Sequence, residues 1–314
     1  MASKLIVHQG AERFSSAKGT VITIGTFDGV HLGHKTILRR VVESAKALGL
    51  ESVLLTFFPH PRMVVQQQTD LKLLNTLEEK KDHLTSIGLD HLVVQPFTAA
   101  FSRLTAVEYV RDILVHQLGA KKIIIGYDHR FGRNRTAHIE DLIAFGKLYD
   151  FAVEEISAQE LNTVAISSTK IRKALEAGSI EMANSYLDYT YRLNGHVVRG
   201  KSIGRSIGYP TANLNVDQSY KLIPKEGVYL TQTKINNQTL FGLTNIGTNP
   251  TVGGDKQTIE TFFLEVTLDL YDAPLQLSFL ERIRDQKHFS GIDALKAAIE
   301  NDVLEAKRLL SKYV

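Results

Sequence analysis

The sequence predicts an α/β protein of two domains: a parallel sheet covered by helices in the first half, then a β-barrel or strongly curved sheet closed by a terminal helix. Three observations carry that prediction. Short apolar runs alternate with helical patterns up to about residue 156; from about 190 the pattern changes to β runs divided by glycine, proline and asparagine; and a chain of 314 residues is too long for one typical core.

The first-half strands are "TVITIG" (20–25), "SVLLTFF" (52–58), "HLVVQPF" (91–97), "KKIIIGYD" (121–128) and "FAVEEI" (151–156). After the first of them, Ile37, Leu38, Val41, Val42, Ala45 and Leu48 recur with a period near 3.6 and stop at Gly49, one helical stripe packed on the sheet. "TAVEYVRDILVHQLG" (105–119) predicts a second helix. Residues 168–187 read as helical with a break at Gly178, and a helix rather than a floppy tether then joins the halves. In the second half, Asn236–Asn237 between apolar runs predicts a hairpin turn. The last stretch, "GIDALKAAIENDVLEAKRLLSKYV", has helical periodicity and is expected to close one side of the barrel.

Composition excludes several classes. With 43% hydrophobic and 23% charged residues the chain has the profile of an ordinary globular protein. It has no cysteine, which removes disulfides, thiolate metal sites and cysteine nucleophiles and suits a reducing compartment. The opening "MASKLIVHQGAERF" has too short an apolar segment for a secretory signal, and no later run approaches a bilayer span. A cytoplasmic protein without membrane partners is expected. The net charge of +3 fits anionic small molecules, and with no basic-aromatic stripe it does not indicate nucleic acid.

Chemistry concentrates in two strings. In "GTFDGVHLGH" (25–34) a strand runs through a glycine-rich turn into a helix, which points bare N–H groups and the positive end of the helix dipole at whatever lies above the sheet edge. Gly25, Gly29 and Gly33 let backbone approach a phosphate, and the spacing of His31 and His34 puts both rings on one side of the first helical turn. There they can donate to oxygens that gain charge as a phosphorus–oxygen bond breaks. In "ISSTKIR" (166–172), Ser167, Ser168 and Thr169 stand at a helix start with Arg172 one turn in, a second anion site.

The first string resembles the H-x-G-H signature of the nucleotidyltransferase superfamily, which cleaves nucleoside triphosphates between the α and β phosphates. Together with "ISSTKIR", "FFPHPR" (57–62) and "GYDHRFGRNR" (126–135), it is similar to the adenylyltransferase half of the bacterial bifunctional riboflavin kinase/FAD synthetases. That family carries a flavokinase module second, and "GKSIGRSIGYPTAN" (200–213) resembles its mark. The resemblance covers nearly the whole chain and implies a Rossmann-like nucleotidyltransferase domain over 1–186 and a β-barrel riboflavin kinase domain over 187–314.

Several roles follow from the resemblance. Thr211 and Asn213 are expected to hold Mg²⁺ and the ATP phosphates, under a glycine-rich segment of Gly200, Gly204 and Gly208. Glu260 matches the catalytic glutamate that accepts the proton of the attacking alcohol. Phe27 joins Gly25, Gly29, Gly33, Ser167, Ser168, Thr169 and Arg172 on ATP, His31 and His34 are catalytic, and Pro59, Asp128, Phe131 and Arg284 are assigned to flavin.

Riboflavin plus ATP would give FMN, and FMN plus ATP would give FAD and pyrophosphate, on a monomer or weak homo-oligomer whose partners are these small molecules. Three places depart from the family: His129 stands where phenylalanine is usual, "RNRTAHIED" runs where a glycine usually follows soon after, and "LDYTYRL" (187–193) replaces "LGRPY". The alternative they raise is a riboflavin kinase with an impaired adenylyltransferase domain.

Overall fold

A computed structural model describes residues 4–66, 70–127, 129–157, 166–200, 204, 207–251, 254–266, 268 and 270–313. It divides by internal contacts into two units, Met1–Ser168 and Thr169–Val314. The division falls ahead of the 186/187 boundary that the sequence resemblance implies.

The first unit is a six-stranded parallel sheet in the order β1-β4-β3-β2-β5-β6. Its strands are β1 (Ile6–Gln9), β2 (Thr20–Ile24), β3 (Glu51–Phe58), β4 (His91–Pro96), β5 (Ala120–Gly126) and β6 (Ala152–Ile156). Side-chain alternation sends Ile22, Val53, Leu55, Val93, Ile123 and Ile125 into one apolar layer and Val21, Leu54, Leu92, Val94 and Ile124 into the other. Helix α1 (Leu32–Leu48) covers the second layer with Ile37, Leu38, Val41 and Ala45, as its periodicity predicts, and ends at Gly49 in the left-handed region (φ 66°).

Two elements of this unit lie outside the sequence reading. The edge strand β1 is four residues long and carries no periodic signal. The expected helix at 105–119 begins with an α-turn at Ala106–Glu108 but continues as a π-helical segment, Tyr109–Gln117, that packs Tyr109, Val110, Ile113 and Leu114 onto the first layer.

After β2 the chain builds β3 and β4 on one side and then returns to place β5 on the other. The strand order therefore reverses between β2 and β5. Ligands of open α/β sheets bind outside the carboxyl ends of strands at such a point. That location holds the turn at residues 25–31 and the segment that follows Gly126.

In the second unit, α6 (Ser168–Ala177, with Ser168 counted in the first unit) and α7 (Ile180–Leu187) are separated at Gly178, where φ is 82°. They precede a closed antiparallel barrel in the order β10-β11-β8-β7-β12-β9. Its strands are β7 (Arg192–Val198), β8 (Thr211–Val216), β9 (Gly227–Ile235), β10 (Gln238–Thr251), β11 (Gly254–Phe263) and β12 (Pro274–Arg284). Asn236 and Asn237 both have positive φ (50° and 63°) and make the two-residue hairpin between β9 and β10. The terminal helix, α8 (Ile292–Leu310), packs Ala306 and Leu309 against Val228, Leu230, Leu243 and Leu280. Neighbouring Thr231, Thr244 and Thr261 are fully buried and satisfy one another through hydroxyl contacts of 2.8 Å.

Candidate functional site

The first unit's candidate site is the turn between β2 and α1. Gly25 leaves the sheet with its N–H donating to the Leu55 carbonyl at 3.0 Å, and the Phe27 ring lies 2.9 Å from where a Cβ would stand on Gly25. The chain then passes through positive φ at Phe27 (43°), Gly29 (89°) and Val30 (38°). Glycine adopts that conformation freely, whereas a β-branched valine is strained in it and must be held by its surroundings.

The turn is held from several directions. The Thr26 carbonyl accepts hydrogen bonds from the Thr56 hydroxyl (3.2 Å) and the Lys80 ammonium (2.7 Å). The Asp28 carboxylate accepts from the backbone N–H groups of Leu74 (2.9 Å) and Asn75 (3.3 Å), and the Asp28 carbonyl accepts from the Ser168 hydroxyl (2.8 Å).

His31 is the N-cap of α1 and makes no side-chain capping bond, so the first N–H groups of the helix keep their donors free for a ligand. Its ring stacks on that of His34 at 3.7 Å, and Phe27 closes on His34 at 4.7 Å. Nδ1 of both histidines is buried without a hydrogen-bond partner. Burial pulls His31 down to about 4, against the opposing pull of Asp28, and lowers His34 as well, helped by His31 and Lys80. Both imidazoles are neutral at pH 7, each keeping one N–H donor. Two rings with unpartnered Nδ1 atoms beside an uncapped helix start have the donor chemistry that an anion calls for.

This arrangement has a cost that can be measured. Both histidines are depressed in the folded state, so the unfolded chain binds more protons once the pH falls below the ordinary histidine value of about 6.5. Stability present above that pH is therefore lost as the pH falls toward about 4. Calorimetry should show the first unit's unfolding temperature dropping over this range, and His31→Gln should drop less.

Within the "SST" string, Ser168 is the first residue of α6 and the last of the first unit, and its hydroxyl is the donor to the Asp28 carbonyl. Thr169 and Arg172 lie in the same helix, on the second unit's side of the division. Among the expected flavin residues, Pro59 is exposed just beyond β3, and Asp128 lies outside the described residues. The other two are engaged elsewhere. Phe131 is 6% exposed and packs in the core against Tyr109, with ring centroids 6.1 Å apart. Arg284 is forked onto Asp302 of α8 at 2.8 and 2.7 Å, which leaves its guanidinium serving the packing of that helix.

In the second unit, register places Glu260 opposite Asn213 and Phe262 opposite Thr211, so all four share one face of the β8–β11 pair. The Thr211 hydroxyl donates to Glu260 Oε2 at 3.3 Å. A Cβ on Gly200 would lie 2.3 Å from the Asn213 amide nitrogen, and one on Gly204 would lie 2.2 Å from the Tyr209 carbonyl oxygen and 3.5 Å from Thr211 Cγ2. Gly200 thus brings backbone tightly against Asn213, and Gly204 brings it against the Tyr209 carbonyl two residues ahead of Thr211. Gly208, at φ 88°, supplies the left-handed turn ahead of Tyr209.

A hydroxyl and an amide carbonyl are hard oxygen donors of the kind Mg²⁺ accepts when phosphate and water complete its shell. Among the described residues no cluster of His, Cys, Asp or Glu could hold a metal by itself.

Beside this face, Tyr209, Phe262, Leu264, Val303, Leu304 and Lys307 line a largely apolar groove of about 330 Å³ between the barrel and α8. The sequence reading missed it, because its walls come from three separate stretches, at 209, 262–265 and 300–307, with only ordinary helix and strand patterns to show for it. Lys80 was also missed. Thr76 and Glu79 form a capping box that starts α3 (Leu77–Ile87), and that box was the available signal that a helix delivers Lys80 to the turn.

Comparison with known proteins follows the same division. Residues 13–170 match the FAD synthetase family model and residues 187–310 the riboflavin kinase family model. A bifunctional riboflavin kinase/FMN adenylyltransferase of Listeria monocytogenes is 34% identical over 93% of this chain and 93% of its own. That of Escherichia coli strain K12 is 34% identical over 95% of this chain and 96% of its own. A crystal structure from Streptococcus pneumoniae, described as a macrolide-efflux protein, superposes with a TM-score of 0.88 at 28% identity, covering 97% of this chain and 99% of that one.

Proposed function

The chain belongs to the bifunctional riboflavin kinase/FMN adenylyltransferase family, and on that premise we propose how its residues divide the two reactions. It phosphorylates riboflavin with ATP to give FMN and adenylylates FMN with ATP to give FAD and pyrophosphate. Both halves match, and neither comparison favours a chain with an impaired adenylyltransferase. The efflux description of the pneumococcal neighbour does not carry over: among the described residues no helix is long and apolar enough to cross a membrane, and both family models account for the fold.

We assign adenylyl transfer to residues 1–186 and riboflavin phosphorylation to residues 187–314. The observation that carries the assignment is where a free carboxylate stands. An alcohol nucleophile needs a base, and Glu260 meets that need beside Thr211 and Asn213. The FMN phosphate is already anionic and needs none; in the β2–α1 turn the Asp28 carboxylate is committed to Leu74 and Asn75, and neutral imidazoles face the ligand space.

In the kinase reaction Glu260 takes the proton of the ribityl hydroxyl as its oxygen attacks the γ-phosphorus of ATP and ADP departs. The Thr211 hydroxyl orients the carboxylate, and the groove along α8 takes the flavin ring. Thr211 and Asn213 would hold Mg²⁺, which when bound neutralises phosphate charge. In adenylyl transfer an FMN phosphate oxygen attacks the α-phosphorus and pyrophosphate leaves. His31, His34 and the N-terminus of α1 stabilise the developing charge. The need for ATP supports the expected cytoplasmic placement.

Two incubations test the reading, riboflavin with ATP and Mg²⁺, and FMN with ATP and Mg²⁺, with products separated by chromatography. FAD is expected in both, and FMN that is never adenylylated would refute it. Gly200→Ala pushes a methyl into the Asn213 amide. It is expected to cost riboflavin phosphorylation about 10²-fold, the scale of a 1 Å misplacement, with adenylylation unchanged.

A further inference from the structure

We propose that Lys80 is a positioning residue for adenylyl transfer: its buried ammonium holds the Thr26 carbonyl and places a fixed positive charge beneath the turn that receives the triphosphate. Lys80 is 9% exposed, and its Nζ donates to Thr26 O at 2.7 Å. Thr26 immediately precedes Phe27, the first of the positive-φ residues that shape the turn. The ammonium thus grips the turn where its strained path begins.

A buried cation is costly unless its charge is used. The same carbonyl already has a donor in the Thr56 hydroxyl, so the fold does not need an ammonium to satisfy it. The charged groups around Lys80 are Asp28 and His34. Asp28 is turned to the Leu74 and Asn75 N–H groups as well, and His34 is kept neutral partly by Lys80 itself. A triphosphate arriving above the turn brings negative charge that the ammonium attracts. Lys80 therefore acts on the ligand through the turn and through its field, without touching it.

Titration supplies an independent readout. Burial lowers Lys80 from its ordinary value to about 8, with Asp28 opposing. In the free enzyme the charge is lost as pH rises through that value, and bound triphosphate restores it by favouring the charged form. The kcat/KM of adenylylation for ATP is then expected to fall above pH 8, while kcat holds to higher pH. Stability runs the other way. A lysine depressed in the folded state makes folding less favourable where it is charged in both states, and folding gains as pH rises from about 8 toward the ordinary lysine value.

The inference rests on the placement of adenylyl transfer at the β2–α1 turn, and the experiment separates the two. Full-length wild type, Lys80→Met and His31→Ala are assayed for FAD formation from FMN between pH 6.5 and 10, with FMN formation from riboflavin as the internal control and unfolding followed by calorimetry.

The expected result is a loss of about 10- to 100-fold for Lys80→Met at pH 7, a profile without the fall above pH 8, an intact kinase, and an unfolding temperature that does not drop. A loss too deep to measure, with unchanged unfolding and kinase activity, also supports it. Wild-type activity in Lys80→Met, a residual activity that still falls above pH 8, or a lowered unfolding temperature of the first unit would overturn it. If His31→Ala keeps full adenylylation, the placement falls and Lys80 falls with it; loss in His31→Ala beside an unaffected Lys80→Met overturns the Lys80 assignment alone.

Discussion

Glu260→Gln is expected to reduce FMN formation from riboflavin by 10² to 10⁴-fold, the range attributed to a positioned general base, while FAD formation from supplied FMN continues. Glutamine keeps the shape of the side chain and can still accept the Thr211 hydroxyl on its carbonyl oxygen, so the β8–β11 pairing should survive. What it cannot do is take a proton from an alcohol that is almost wholly protonated at neutral pH. The loss should therefore fall on kcat, with the KM for riboflavin little changed. Equal loss of both activities would contradict the division of labour between the units. The assay needs both substrates offered separately, because a chain starved of FMN produces no FAD whatever the state of its adenylyltransferase.

The converse result is expected for His31→Ala. Removing one donor from a charge-stabilising constellation costs about 10² to 10³ in rate, and here the donor also stacks on His34 at 3.7 Å, so its loss frees the second ring. FAD formation from FMN should fall by at least that range, and riboflavin phosphorylation should be unchanged. The ring is 6% exposed, and its removal leaves a small cavity beside the His34 ring. Calorimetry on the variant distinguishes a lost donor from a lost turn. A matching drop in both activities would indicate a shared site or general misfolding.

Much of this was legible in the linear sequence, and the reason is local. The strands of the sheet, the stripe of α1, the break at Gly178 and the Asn236–Asn237 hairpin each depend on residues within a few positions of one another, where period and backbone preference act directly. His31 and His34 were visible for the same reason, since three residues of helix spacing bring their rings together. The segment at 105–119 was read as an ordinary helix because its apolar positions suit one; the shift to π-helical hydrogen bonding at Tyr109–Gln117 carries no composition of its own. β1 was missed because four residues at a sheet edge show no period.

The sequence by itself therefore determined the two-part architecture, the glycine-rich turn between β2 and α1 and, through a family resemblance, the pair of reactions. The tertiary structure alone decided which charged groups face which. It committed Arg284 to Asp302, sank Phe131 into the core, set Glu260 opposite Asn213, and drove Lys80 against the Thr26 carbonyl. The physical reason is that a side chain's charge acquires its effect from burial and from partners far away in the chain: 54 residues separate Lys80 from Thr26, and 49 separate Glu260 from Thr211. Neither quantity is encoded in local spacing.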